Sequence, residues 1–385
     1  MKTNFLFIMC LVSWGTSAGD ARGQAWNKHV VFSGAHCNAA VAADFTGDGK
    51  VDVICNAGGL TRLLVAPDWH EILLPDPEKL NMIHGEMMDV DEDGDMDFIG
   101  VRYKPGYICW FECPAQAETE RWQIHLIDDQ VQGIHGLLVG DVDEDNSLDL
   151  IANSAQDLPP FPNSIVWYSR QLRANGSVKW IRHIAADKDA PGLTHYMGLG
   201  DVDGDGRNDI ATGAKGDPKN PGGPGRYFAW WKQPRSLQGK WKKEIIAADE
   251  DGATNIHMAD VNADGRTDFI ASRGHSMGLL WYEAPNWNRH MIYSNIHGPH
   301  SLVVLDLDGD GDIDAASCGK DNQQVAWFEN DGAGRFQTHI IGQDQAAYDL
   351  RAVDIDGDGD LDLLIGGQLS QNVVWYENPS QTRRK

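Results

Sequence analysis

Short apolar runs alternate along this chain with clusters of aspartate, glycine and asparagine, and the alternation keeps a regular beat. Runs such as "GLLVG" and "SLVVL" precede an acidic phrase, and runs such as "LDLIANS" and "TDFIASR" follow it. A Trp-aromatic phrase comes next ("CWFECP", "VWYSR", "AWWKQP", "LWYEAP", "AWFEN", "VWYENP"). It is followed by a segment opening on Trp or Phe ("WQIHLI", "WIRHIA", "WKKEII", "WNRHMI", "FQTHII", with "WHEILL" in the first unit). Runs this short, rich in aromatic and β-branched residues and bounded by turn formers, read as β-strands. No long stretch has a helical period, so each unit reads as four strands.

The acidic phrases begin at residues 44, 89, 141, 201, 260, 306 and 354, at spacings of 45, 52, 60, 59, 46 and 48. Periods of this size indicate propellers or arrays of supersecondary units. The expected fold is all-β, a seven-bladed β-propeller of four-stranded antiparallel blades over residues 24–379, with a short tail at 380–385. The last unit lacks a fourth strand, whereas the chain has an orphan one near its start, "WNKHVVFSG" at 26–34. That strand is expected to complete the last blade, closing the ring and covering a sheet edge that would otherwise invite association.

The acidic phrases also carry candidate chemistry. "DIDGDGDLD", residues 354–362, places carboxylates at positions 1, 3, 5, 7 and 9 and glycine at 6. Alternate side chains of such a curled segment converge, position 7 offers a carbonyl, and hard oxygen ligands in this number select calcium. The expected ligands are Asp44, Thr46, Asp48 and Asp52 in the first loop, Asp89, Asp91, Asp93 and Asp97 in the second, and Asp141, Asp143, Asp145 and Asp149 in the third. The fourth and fifth supply Asp201, Asp203, Asp205, Asp209 and Asp260, Asn262, Asp264, Asp268; the last two supply Asp306, Asp308, Asp310, Asp314 and Asp354, Asp356, Asp358, Asp362. Four carboxylates around one point repel by about 1 kcal/mol per pair at 4 Å even in water. Up to seven calcium ions would take the formal charge from -25 to -25 + 14 = -11. Asn146 replaces glycine in the third loop, which is expected to bind more weakly.

These loops resemble the FG-GAP or VCBS repeats of integrin α propellers and many exported bacterial proteins. The resemblance covers nearly the whole chain and implies a calcium-binding seven-bladed propeller, without fixing one activity.

The remaining features bound the function. The negative charge repels phosphate backbones and anionic lipid surfaces, which argues against nucleic acid. Residues 1–18 have the layout of a signal peptide, and no stretch approaches the roughly 20 apolar residues of a membrane span. A secreted, periplasmic or cell-surface monomer is expected. Five cysteines remain after cleavage, an odd count, and no disulfide is assigned. Cys109 and Cys113 in "YICWFECP" would stand roughly 13 Å apart on a strand, so a structural role is expected rather than a bridge.

The histidines fall into groups. His29, His125, His183, His290 and His339 follow Trp or Phe by three in the fourth strand, where packing or hydrogen bonding explains the repetition. His36, His84, His135, His195, His257 and His300 lie before or within the innermost strand, with Tyr348 in the corresponding place. His135, His195, His300 and Tyr348 precede their loop aspartate by six residues, His84 by five, His257 by three and His36 by eight. Innermost strands line a propeller's axis, and their leading ends lie opposite the aspartate loops. Side chains from separate blades therefore converge at a channel mouth.

Neutral imidazoles around one point suit zinc or another divalent transition metal, or act as bases; the plainer alternative is a structural histidine copied by duplication. Arg102, Lys215, Arg273, His275 and Lys320 are expected on the same face, where they would hold an acidic sugar. The long connections at 153–164 and 213–226 are expected to form binding walls.

Two functions follow. One is a carbohydrate lyase or dehydratase working by β-elimination, with His135, His195 and His300 as metal ligands or bases, Tyr348 as proton donor and His84 as a further catalytic candidate. The chain looks similar, in residue type and location, to aldosulose dehydratases and ulvan-type lyases. The other is a non-catalytic lectin or adhesion propeller that binds a glycan or protein by its outer faces.

Overall fold

The computed structural model describes residues 25–75, 81–220 and 223–379; the expected signal peptide and the tail at 380–385 lie outside them. Seven four-stranded antiparallel sheets form the blades of a propeller, and the described residues contain no helix. Blade one shows the pattern: β2 (Cys37–Ala43) is innermost, followed outward by β3 (Asp52–Ala57), β4 (Leu60–Val65) and β5 (His70–Leu73).

Ring closure follows the chain's own pattern. β1 (Asn27–Ser33) pairs antiparallel with β28 (Asn372–Glu377), which continues through β27 (Asp362–Gly367) to β26 (Asp349–Val353). Apolar side chains of blades seven and one then share a core that includes Val31, Val53, Leu64, Leu364 and Trp375. Every other junction has a similar core; between blades one and two it includes Leu63, Phe98, Phe111 and Trp122. Burying one such side chain contributes about 1.5–3 kcal/mol, so these junctions hold the ring together.

The fourth-strand histidines are structural. His29, His125, His183, His290 and His339 stack on Trp375, Trp110, Trp167, Trp281 and Trp327, their cross-strand partners, at centroid distances of 4.0–4.6 Å. Four of them also bond a glutamate of the third strand: His29 to Glu377, His125 to Glu112, His290 to Glu283 and His339 to Glu329, at 2.5–2.9 Å. Cys109 and Cys113 are buried thiols rather than a bridge; Cys109 Sγ donates to the Gly100 carbonyl at 3.7 Å and Cys113 Sγ to the Phe45 carbonyl at 3.5 Å.

The aspartate loops share one backbone. Position 1 accepts the amides of positions 5 and 6, as Asp89 does from Asp93 and Gly94 at 3.1 Å each. Position 9 accepts an amide near the start of the loop and one at the end of the third strand, as Asp97 does from Val90 and Cys113 and Asp52 from Thr46 and Ala66. Positions 4 and 6 both turn through positive φ. Asn146 takes the left-handed turn at φ 67°, so the third loop keeps its shape without glycine there.

Candidate functional site

The rule that places side chains along the axis is their separation from the loop aspartate, at about 3.3 Å per residue of strand. His135, His195, His300 and Tyr348 share one separation and meet at one level. One ring nitrogen of each of the three histidines lies within 4.8 Å of one nitrogen of each of the others. The His300 ring stacks on Tyr348 at 3.8 Å, and those of His135 and His195 lie 4.0 Å apart.

The other inner histidines sit at the depths their separations dictate. His84, one residue nearer its loop, is buried; its Nε2 lies 3.0 Å from Arg351 Nη2 and 3.3 Å from Glu86, and its ring meets Tyr196 edge-on at 5.0 Å. His257, three residues nearer its loop than the trio, donates to the Leu302 carbonyl at 2.9 Å. His36 directly precedes β2 and is exposed.

Each ring of the trio has an outer partner. A carbonyl can only accept, so the 2.8 Å contact between His195 Nδ1 and the Leu193 carbonyl puts the hydrogen on Nδ1 and leaves Nε2 a bare acceptor. Tyr196 hydroxyl lies 3.3 Å from His300 Nδ1, and Tyr348 hydroxyl 2.9 Å from His135 Nε2. His135 Nδ1 and His300 Nε2 are left buried without a hydrogen-bond partner. Burial first, and the neighbouring histidines and lysines second, hold all three imidazoles well below their usual pKa. They are neutral and present lone pairs.

Three nitrogens no more than 4.8 Å apart leave a point within about 2.8 Å of all of them, against about 2.0–2.1 Å in zinc–imidazole bonds. With their outer nitrogens already held, the rings fit a divalent transition metal.

Cations gather around this group. His275 Nε2 donates to His195 Nε2 at 2.9 Å, a hydrogen bond that an ion on that nitrogen would have to displace, and lies 3.4 Å from Lys215 Nζ. Burial and the charges of Lys215 and Lys320 push His275 down to about 3, and burial together with Lys320 lowers Lys215. Lys215 and His275 line a cavity of about 310 Å³ with Asp217, Asn220, Arg226 and Asp251. Residues 215–218, 220, 223 and 226 of the connection at 213–226 therefore form a wall; the connection at 153–164 does not line this cavity.

Arg102 and Arg273 stay out of the group. Arg102 donates to the Pro105 carbonyl, and Arg273 is tied to Glu250 and to the Asp251 and Met277 carbonyls. Both guanidiniums have nearer acceptors than the mouth.

Residues without an acid–base or metal signature complete the site. Asn153 is fully buried; its Oδ1 accepts the His135 and Gly136 amides, and its Nδ2 donates to the Thr194 and His195 carbonyls, joining blades three and four beneath the trio. Tyr196 follows His195 directly and was hidden among the apolar residues of its strand. The polar asparagine in "LDLIANS" was the one available signal for Asn153.

The aspartate loops form a second set of candidate metal sites on the opposite face. Carboxylate oxygens of positions 1, 3 and 9 lie within 4.8 Å of one another in loops that include Asp89, Asp91, Asp97 and Asp306, Asp308, Asp314. At position 3, Asp91 Oδ1 and Asp143 Oδ1 are buried without a partner, and burial pushes Asp97 and Asp314 at position 9 up to about 7. Buried carboxylates in this state fit a hard divalent cation.

The fold is a seven-bladed β-propeller, and within it residues 201–271 and 276–365 match the family described as FG-GAP-like repeat. Among solved structures, the chain is similar to a lectin of Agrocybe aegerita that recognises non-reducing terminal N-acetylglucosamine: 16% identity, TM-score 0.55, covering 90% of this chain and 86% of that one. It is also similar to BBS1N in complex with ARL6DN (11% identity, TM-score 0.59, 92% and 97% covered) and to a streptogramin B lyase (10%, 0.58, 92% and 98%). At these identities the likeness is one of fold. No curated protein matches the chain.

Proposed function

We propose that this protein is an exported, calcium-stabilised propeller that carries out β-elimination on an acidic sugar at the axial mouth. The observation that carries this reading is the buried trio His135, His195 and His300, with unpartnered nitrogens on two of its rings and the ammonium groups of Lys215 and Lys320 close by. Calcium would be held by the aspartate loops, and a zinc-like ion by the trio. Such an ion, when bound, supplies a Lewis acid that steadies charge developing on a carboxylate or carbonyl.

The chain's own residues account for the remaining roles. Lys215 and Lys320 attract and orient the sugar carboxylate in a molecule that is otherwise strongly acidic. His275, exposed at the cavity, takes the proton from the carbon beside that carboxylate. Its imidazole becomes basic enough once the bound carboxylate offsets the two lysines. The released electron pair forms the carbon–carbon double bond as the carbon–oxygen bond breaks, and the leaving oxygen takes a proton. Tyr348, which burial keeps protonated, is the donor.

The test is metal analysis of the purified protein, together with ultraviolet detection of unsaturated product from uronate-containing polysaccharides. One transition metal per chain, lost in His300→Ala, supports the reading; no such metal and no product in any uronate polymer refutes it.

A second reading, a glycan-binding propeller without chemistry, is favoured by the grooves between blades. The groove between blades two and three, about 520 Å³, brings Trp110, Trp180, Asp91, Glu112 and His125 together. Binding there would survive His135→Ala, whereas chemistry at the mouth would not.

A further inference from the structure

The aspartate loops look equivalent in sequence, but the third strand of each blade ends beside its loop and presents a different side chain there. In four blades this residue is a glutamate, Glu112, Glu283, Glu329 or Glu377, each fastened to a stacked histidine. These glutamates add negative charge to position 3 of the loop. Asp308 and Asp356 are raised by burial first and then by neighbouring carboxylates that include Glu329 and Glu377.

Blade four has a lysine instead. Lys232 Nζ bonds Asp203 at position 3, and it bonds Asp205 at position 5 at 2.8 Å; the Arg207 guanidinium also bonds Asp205. The acidic geometry is otherwise the same, with carboxylates of Asp201, Asp203 and Asp209 within 4.8 Å of one another. Lys50 and Arg266 also pair with position 5 of their own loops, through Asp48 and Asp264, whereas Lys232 comes from the third strand and bonds positions 3 and 5 together.

We infer that the fourth loop is not a calcium site of the same kind: the Lys232 ammonium stands among its carboxylates in place of the divalent ion. This inference rests on the calcium reading of the other loops. A tethered ammonium sits at high effective concentration, and calcium entering this loop has to displace it and then lie beside an unpaired positive charge. The blade so neutralised is also the one that carries His195, Tyr196 and Lys215, so a large part of the mouth is anchored without calcium.

Native mass spectrometry counts calcium per chain, and hydrogen exchange reads each loop. Calcium removal is expected to change exchange across 201–209 less than about twofold, while exchange across 354–362 rises more than about tenfold. Lys232→Glu and Lys232→Met are each expected to bind one calcium more than the parent. The inference is overturned if 201–209 responds to chelation as the glutamate-flanked loops do, or if both variants bind the parental number. If no loop responds to calcium, the calcium reading of the whole molecule fails, and this inference falls with it.

Discussion

Removing calcium with excess EGTA at neutral pH and low salt is the most direct perturbation of this ring. An ion that binds only the folded state stabilises it by RT ln(1 + [L]/Kd), about 2.7 kcal/mol at one hundred times Kd. If calcium fills every loop but the fourth, six sites contribute, and 6 × 2.7 gives about 16 kcal/mol if the ring unfolds as one unit. The described residues number 51 + 140 + 157 = 348. At about 2.1 cal/mol/K per residue their unfolding entropy is about 0.73 kcal/mol/K. The expected fall in Tm is therefore about 20 °C, and a single site would give about 4 °C. Melting followed by near-ultraviolet circular dichroism reads this directly, because the stacked Trp–His pairs report blade packing. A shift smaller than that of one site, in calcium against EGTA, refutes the idea that the loops are held by ions.

The other predictions concern the axis. Replacing Lys215 and Lys320 together by alanine should raise KM for an acidic substrate about tenfold or more and remove the salt dependence of binding, measured by initial rates at several ionic strengths. Asn153→Ala should lower stability by roughly 2–4 kcal/mol in urea melts, since it leaves the His135 amide and the Thr194 and His195 carbonyls buried without partners. His257 is lowered by burial from 6.5 to about 4. Its folded pKa is depressed, so its contribution is present above pH 6.5 and is lost as pH falls through about 4, at most about 3 kcal/mol. His257→Gln, which still donates to the Leu302 carbonyl, should flatten the stability curve between those pH values in urea melts.

Much of this protein was legible in its sequence because the repeat states it several times over. The alternation of short apolar runs and turns fixes strands, the spacing of the aspartate phrases fixes units, and the orphan strand at 26–34 identifies how the ring closes. Even the trio could be picked out, because His135, His195 and His300 share one separation from their loops, and in a strand equal separation means equal depth. His84 departs from that separation by one residue and lies outside the trio, bound to Glu86 and Arg351.

What only the tertiary structure decided are relations between blades, since contacts between residues far apart in sequence leave no periodic trace. Arg273 reads as a mouth cation, but Glu250 lies closer. Tyr196 and Asn153 read as strand residues, yet folding sets them against His300 and His135. Lys232 lies 23 residues beyond its acidic phrase, and only the antiparallel return of the third strand carries its ammonium to Asp203. Local patterning thus determines the elements and their count, whereas charge partners are chosen by distance in the folded ring.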